Sequence, residues 1–321
     1  MGLCPIWQAD KAERRHNSVQ AVVVQPHVDV DRADTRRRYH WSGLALLLPA
    51  VALAVVFFVF PVIYAATIGF TNLSLVGPHA INYSFTGLDN LIQLLHDSVF
   101  WGSAWVTAVF VLGSGVVGVT AMGLILALLI RSANRFVSTL VSSIVLVSWM
   151  LPPVTAAIMW YAFSTQGGAV SHLIGQPDAN PLTGTPLLMV CLANVWSTTG
   201  FSMLVISAGL AGMPAEVEEA AEIEGASAWY RLRRVTLPHL RPTLMTNIVL
   251  VMLLTIANFT IVWIMTQGGP GDATNILPVY AYRQAFTYQH LAYGSLIGLV
   301  LIVVASLIAI PFAKLSSRRE S

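Results

Sequence analysis

The largest group of charged side chains between two apolar runs of this chain lies in one loop, residues 212–241, which we call the charged loop. It carries five carboxylates followed by four arginines: Glu216, Glu218, Glu219, Glu222, Glu224, Arg231, Arg233, Arg234 and Arg241. Long apolar runs flank it on both sides. Charges of both signs suit recognition of a second protein, because complementary charges fix orientation and select the partner. The alternative is an ordinary amphipathic connector with one solvated face.

A second set of groups with binding chemistry is uncharged and lies within the apolar runs. Amide, hydroxyl and indole side chains recur there, and six are candidates to line a solute pathway: Asn194, Trp196, Thr198, Asn247, Asn258 and Thr260. These groups form hydrogen bonds without carrying charge, so they suit a neutral polyhydroxylated solute and offer a phosphate no counter-charge. The alternative is that each one hydrogen-bonds a neighbouring helix.

Ionisable side chains are missing from the centres of the apolar runs, and all eight histidines fall outside them or near their ends. Proton pumps, ion-coupled carriers and voltage sensors depend on ionisable groups inside the membrane. An intramembrane hydrolase needs an acid, a base or a metal site. We therefore expect no catalytic residue and no metal ligand, and we expect any transport to take its energy from a partner.

Membrane helices must position these groups. The chain has 321 residues, of which 56% are hydrophobic and 10% charged, and its mean hydropathy is +0.70. A helix needs about 20 apolar residues to cross a bilayer, and six runs are long enough: 43–69, 103–130, 137–163, 186–211, 243–266 and 291–312. The predicted fold class is an all-α integral membrane protein with six transmembrane helices. Residues 71–88 are rich in turn formers, which argues against a seventh.

Lysine and arginine predict the orientation. Of the 17 in the chain, all but Arg283 fall in alternate segments on one side of the predicted helices. Positive charge marks the cytoplasmic side, so both termini and the charged loop are predicted to be cytoplasmic. The predicted organisation is a flexible leader at 1–40, a membrane domain at 41–315 and a short tail at 316–321.

Small and rigid residues predict two packing features. Pro152 and Pro153 remove two backbone donors and should kink the third helix. Close approach of neighbouring helices is expected where the second helix carries glycine, at Gly113, Gly115, Gly118 and Gly123.

The charged loop itself reads as two short helices with a sharp turn between them. Pro214 suits the first position of a helix, and Gly225 can end that helix in a left-handed conformation. Ser227 can cap the second helix. Pro238 should then end the second helix at Leu237 and redirect the chain.

The spacing in this loop resembles the EAA loop of ABC importer permeases. Glu219-Ala220-Ala221 is followed after three residues by Gly225 and after nine more by Val235-x-Leu237-Pro238. The resemblance implies a coupling helix that docks into a cleft of a separate cytoplasmic ATPase. The implied coupling positions are Glu219, Ala220, Ala221, Gly225, Leu237 and Pro238.

A second motif is similar to sugar permeases of the maltose and glycerol-phosphate group, in the larger-subunit type. It comprises Thr266-Gln267-Gly268-Gly269-Pro270, then Gly271 and Thr274, and the segments 194–196 and 235–243 add to the likeness. Gln267 departs from the glycine common in that group, and Thr260 stands where those relatives often carry an acid. The resemblance covers residues 40–315 and implies the type I importer fold.

That resemblance implies a set of partners for the chain. They are a second permease subunit, two ATPase subunits that bind ATP and magnesium, an extracytoplasmic solute-binding protein, a sugar and membrane lipid, with no nucleic acid. The chain itself would bind no cofactor, and it would lie in the cytoplasmic membrane of a prokaryote. Alternatives are a permease for another solute, such as glycerol phosphate, a polyamine or a peptide, or a membrane scaffold without transport.

Overall fold

The computed structural model describes residues 46–317, so the predicted leader and the last residues of the tail lie outside the described part. Within that part, extended backbone pairs only at one isolated bridge, between Thr71 and Phe85. The main helices are α1 Leu46–Gly69, α2 Asp89–His96, α3 Ser98–Ser132, α4 Arg135–Met150, α5 Pro153–Ser164, α6 Pro186–Ala211, α7 Ala215–Ile223, α8 Ala228–Ile256, α9 Phe259–Thr266, α10 Leu277–Tyr282 and α11 Leu291–Ser317. Shorter helical turns cover Pro78–Ala80, Ala169–Leu173 and Pro181–Gly184.

Five of these helices are long and apolar enough to cross a membrane: α1, α3, α6, α8 and residues 291–310 of α11. The bent pair α4 and α5 makes a sixth span if it is counted as one. The all-α membrane fold is therefore confirmed, and residues 71–88 contain no span. By contact, the chain divides between Val56 and Phe57. The described part of the first unit, residues 46–56, is only the exposed, helical start of α1.

The predicted third helix is two helices that meet at an angle of 102°. Leu151 and Pro152 are both extended, with ψ angles of 137° and 136°. Each of them precedes a proline, and a residue before proline is pushed out of the helical region. Two consecutive extended residues turn the chain far more sharply than the expected kink.

The predicted fifth helix, 243–266, is wrong at its start and interrupted near its end. Helix α8 begins at Ala228, directly after the turn of the charged loop, and runs 29 residues to Ile256. Ala257 and Asn258 then interrupt the helix, since Asn258 has a ψ angle of 73°. A short helix, α9, completes the run.

Close packing of α3 against α6 and α8 builds the interior. A Cβ added at Gly115, Gly118 or Gly123 would lie within 2.8, 2.5 and 2.3 Å of Thr255, Val195 and Ser202 respectively. The predicted role of these glycines in close helix approach is confirmed. Gly113 is the exception, because nothing lies within 4 Å of an added Cβ there.

Candidate functional site

The charged loop begins with helix α7, and Gly225 ends it as predicted. Gly225 has a φ angle of 78°, a left-handed value that suits glycine. Its N–H donates to the Glu222 carbonyl at 2.9 Å, and the Ala226 N–H donates to the Ala221 carbonyl at 3.0 Å. This pair of bonds is the Schellman arrangement, which satisfies the last carbonyls of a helix. Pro214 differs by one position from the prediction, because it precedes the first helical residue, Ala215.

Ser227 caps the next helix, also as predicted, by accepting a hydrogen bond from the Tyr230 N–H at 3.3 Å. An ion pair between Arg231 and Glu222, 2.7 Å long, closes the turn between the two helices. Both features are local, so the turn is specified by residues within ten positions of one another.

Pro238 does not end the second helix, which corrects the prediction. Leu232–Thr236 is π-helical, and the Leu237 N–H bonds the Leu232 carbonyl five residues back. In a π turn each N–H bonds the carbonyl five residues back instead of four. Pro238, which has no N–H, lies directly after the last of these bonds, where the helix returns to the α-helical pattern. The helix therefore continues from the charged loop into the membrane span, with Pro238 exposed and Leu237 half-buried.

The predicted coupling positions on α7 lie on the surface of the described chain. Glu219, Ala220 and Gly225 are exposed, and Ala221 is half-buried. Large apolar side chains lie beside them, with Ile223 87% and Trp229 69% exposed. Sequence reasoning missed Ile223 and Trp229, although apolar residues inside a polar loop are a usable signal for an interface.

Asn194 lies in the interior and joins three helical segments. It is fully buried, and its amide nitrogen donates to Ser114 Oγ at 2.9 Å and to Thr255 Oγ1 at 3.4 Å. Its amide oxygen accepts from Asn258 Nδ2 at 2.9 Å. The structure thus places Asn194 among interhelical hydrogen bonds.

Asn247 is placed in the same way, away from any described cavity. It is also fully buried, and it donates to Thr120 Oγ1 on α3 at 3.2 Å. Its amide oxygen has no hydrogen-bond partner among the described residues.

Three of the six candidate pathway residues line one cavity of about 270 Å³, which we call the junction cavity. Thr198 from α6 lies there together with Asn258 and Thr260 at the junction of α8 and α9. The remaining lining residues are Trp149, Leu151, Pro153, Ser197, Leu254, Ala257 and Ile261. None of these side chains is ionisable, and the bend between α4 and α5 forms part of the wall.

Trp196 lines a different and almost wholly apolar cavity of about 510 Å³. Its ring meets Trp160 edge to face, with the ring centroids 6.4 Å apart. The six candidates therefore separate into three cavity residues, two buried asparagines and one tryptophan in apolar surroundings.

The Gly-Gly-Pro motif forms a compact turn after α9. Gln267 has a φ angle of 53° and Gly268 one of 91°, and the Gly269–Pro270 peptide is cis. Thr274 Oγ1 donates to the Gly269 carbonyl at 2.9 Å. Arg283, the one cation predicted on the outer side, pairs with Asp272 at 2.5 Å and donates to the Tyr288 hydroxyl.

Asp97 is the centre of a polar cluster that sequence reasoning missed. It caps α3 by accepting the Val99 N–H at 2.9 Å and also accepts hydrogen bonds from the Tyr280 and Tyr293 hydroxyls. Burial alone would raise the pKa of this carboxyl, but these hydrogen bonds outweigh burial and hold the pKa below its usual value. Burial, with the neighbouring carboxylate, raises the pKa of Tyr280 to about 12. An acid directly before an apolar run is the available signal for such a cap.

Among the described residues, no group of three His, Cys, Asp or Glu side chains could hold a metal ion. Two features contain residues that the sequence analysis singled out: an exposed loop with apolar and charged groups, and a neutral polar cavity between helices.

Comparison with known proteins identifies the family. A probable ABC transporter permease of Pyrococcus horikoshii is 30% identical over 284 residues, covering 86% of this chain and 96% of that protein. The trehalose/maltose transport permease of Thermococcus litoralis is 31% identical, covering 87% and 94%. The sn-glycerol-3-phosphate transport permease of Shigella flexneri is 29% identical, covering 85% and 93%.

The fold agrees with that of a solved importer. A chain of the bacterial ABC transporter that imports the acidic polysaccharide alginate superposes with a TM-score of 0.73 at 21% identity, covering 88% of this chain and 98% of that one. Residues 119–321 match the family described as the inner membrane component of binding-protein-dependent transport systems. This chain belongs to that family and is a multi-pass permease of an ABC importer.

Proposed function

We propose that this chain is one of two permease subunits of a sugar importer in the cytoplasmic membrane of a prokaryote. A solute-binding protein would deliver the sugar to the outer face. Two ATPase subunits would bind ATP and magnesium and drive the change from outward-facing to inward-facing. A relative named for trehalose and maltose transport supports the sugar assignment.

The neutral junction cavity is the observation that carries the choice of solute. Its polar side chains carry no charge: they are hydroxyls, one amide and one indole, from Ser197, Thr198, Thr260, Asn258 and Trp149. A phosphate or carboxylate bound there would lack a cationic partner among the described lining residues, and such groups normally require one. The glycerol-phosphate permease remains the main alternative because that relative is 29% identical.

The ATPases are separate chains in this proposal because the sequence has no phosphate-binding loop. That motif requires a lysine directly after glycine, and the two lysines, Lys11 and Lys314, follow Asp10 and Ala313. Coupling would instead run through the charged loop. The exposed Ile223 and Trp229 would be buried in the ATPase cleft beside Ala220.

The solute is tested by reconstitution of the chain with its co-encoded partners in proteoliposomes. ATPase stimulation is measured with the binding protein across a panel of neutral sugars, sugar phosphates and cationic solutes. Stimulation by a neutral sugar is expected. Stimulation only by phosphate esters or by cations would refute the sugar assignment and leave the permease family intact.

The coupling surface is tested by the substitution Ile223→Ser, which should weaken co-purification of the ATPase and lower uptake. Leu173→Ser is the matched control, because Leu173 is equally exposed, at 85%, but lies outside the charged loop. Equal ATPase binding by both variants would show that α7 is not the docking surface.

A further inference from the structure

A chain of hydrogen bonds leads from the interior of the protein to the junction cavity. The Ser114 hydroxyl donates to the Phe110 carbonyl at 2.6 Å. Because this donation uses its only proton, Ser114 Oγ can only accept from Asn194 Nδ2, which lies 2.9 Å away. The direction of the first two links is therefore fixed by hydrogen count.

The direction of the third link is also fixed by hydrogen count. With its nitrogen directed to Ser114 and Thr255, Asn194 must present its oxygen to Asn258. An oxygen needs a donor opposite it, so the nitrogen of Asn258 faces Asn194, at 2.9 Å. The amide oxygen of Asn258 then lies on the other side of the group, where it has no partner among the described residues.

We propose that Asn194 is a positioning residue that fixes the amide of Asn258 as a hydrogen-bond acceptor toward the junction cavity. Asn258 lies outside regular helix, between α8 and α9, where it both bonds Asn194 and lines the junction cavity. The site would therefore select a solute that donates a hydroxyl proton at this point. A phosphate or carboxylate oxygen, which only accepts, would meet another acceptor. This inference rests on the proposed transport of a sugar and adds the polarity of one contact.

Helices α6 and α8, which lie before and after the turn of the charged loop, both lead to the junction cavity. Helix α6 carries Asn194 and leads into the loop, and α8 leads out of it and ends beside Asn258. With a rise of about 1.5 Å per residue, α8 spans roughly 43 Å. The bond between the two asparagines thus joins the end of α8 that is remote from the loop to the ninth of the 26 residues of α6. The ATPase would move both of these helices.

The test compares a sugar that stimulates the reconstituted transporter with its monodeoxyfluoro analogues, in which fluorine replaces one hydroxyl and cannot donate. Wild-type protein should discriminate against one analogue by about 2- to 12-fold, the range of a single net hydrogen bond. Asn258→Leu and Asn194→Leu should both lose that discrimination. The double variant should be no worse than either single variant, because Asn194 acts through Asn258.

Two further variants separate positioning from general damage. Asn247→Leu removes an asparagine that is equally buried but lies outside the cavity, so it should lower stability and keep the discrimination. Ser114→Ala removes the first two links but keeps the bond between Asn194 and Asn258. It is a milder test if Asn194→Leu fails to fold, and it should reduce the discrimination.

Two outcomes would overturn the inference in distinguishable ways. If sugars are transported and both Asn194→Leu and Ser114→Ala discriminate as wild type does, the positioning role is wrong and the proposed function stands. If no sugar stimulates the wild-type transporter, the proposed function fails and this inference fails with it.

Discussion

Replacement of Gly225 tests whether the charged loop works through its backbone conformation. Gly225 is left-handed, at a φ angle of 78°, and a Cβ added there would meet nothing within 4 Å. The cost of a side chain is therefore conformational strain alone, with no clash against the described residues. The two hydrogen bonds that close α7 depend on this conformation.

The expected cost differs with the residue introduced. A left-handed conformation costs an ordinary L-residue about 1–2 kcal/mol, whereas asparagine adopts it more readily. Gly225→Ala should therefore lower the population of the native turn by roughly 5-fold, and the β-branched Gly225→Val by roughly 30-fold or more. Gly225→Asn should stay close to wild type.

The assay is sugar uptake and ATPase stimulation in the reconstituted transporter, with the amount of inserted protein measured in parallel. Insertion should be unchanged in all three variants because the residue is exposed. Uptake should fall in the order Asn, Ala, Val. Wild-type uptake by Gly225→Val would refute the reasoning. If Gly225→Asn were as impaired as Gly225→Val, the glycine would be required by close approach of the ATPase instead of by its own backbone.

Three further predictions concern stability and are measured by thermal unfolding in detergent. Gly123→Ala places a Cβ 2.3 Å from Ser202 Oγ and should cost about 1–3 kcal/mol through overpacking, whereas Gly113→Ala, with free space around it, should be neutral; equal melting temperatures would contradict the packing argument. Asp97→Asn should lower the melting temperature at neutral pH. The pKa of Asp97 is depressed in the folded state, so its contribution to the free energy of unfolding is complete above the ordinary aspartate pKa of about 3.9 and is lost as the pH falls through the lower folded value. The difference in melting temperature between variant and wild type should therefore shrink in acid. A difference that stays constant with pH would refute the assignment. Glu222→Gln breaks an exposed ion pair and should cost less than about 1 kcal/mol, and a larger loss would show that the pair holds the turn.

Local features of this chain were readable from its sequence. The span at 186–211 coincides with α6, and Gly225 and Ser227 close and open their helices as predicted. In each case the residues that decide the structure lie within about one turn of each other, so propensity, capping and apolar run length are sufficient. The family was also readable, because the EAA spacing lies within one contiguous segment.

The sequence predicted that the chain bends near Leu151 and Pro152, but not how sharply. Loss of backbone donors predicted a kink, but an angle of 102° depends on how α4 and α5 then pack. Pro238 was predicted to end its helix, but the helix continues through it, because the π turn before it accommodates the missing N–H.

The positions of the polar side chains were decided by tertiary structure alone. From sequence, Asn194, Asn247 and Asn258 are equivalent amides within apolar runs. Only the packed helices place Asn258 at a cavity and bury Asn194 against Ser114, 80 residues away in the sequence. Spacing along one helix shows which residues share a face, but it does not show what that face meets. The partition between buried, hydrogen-bonded groups and cavity-lining groups therefore required the contacts among α3, α6 and α8.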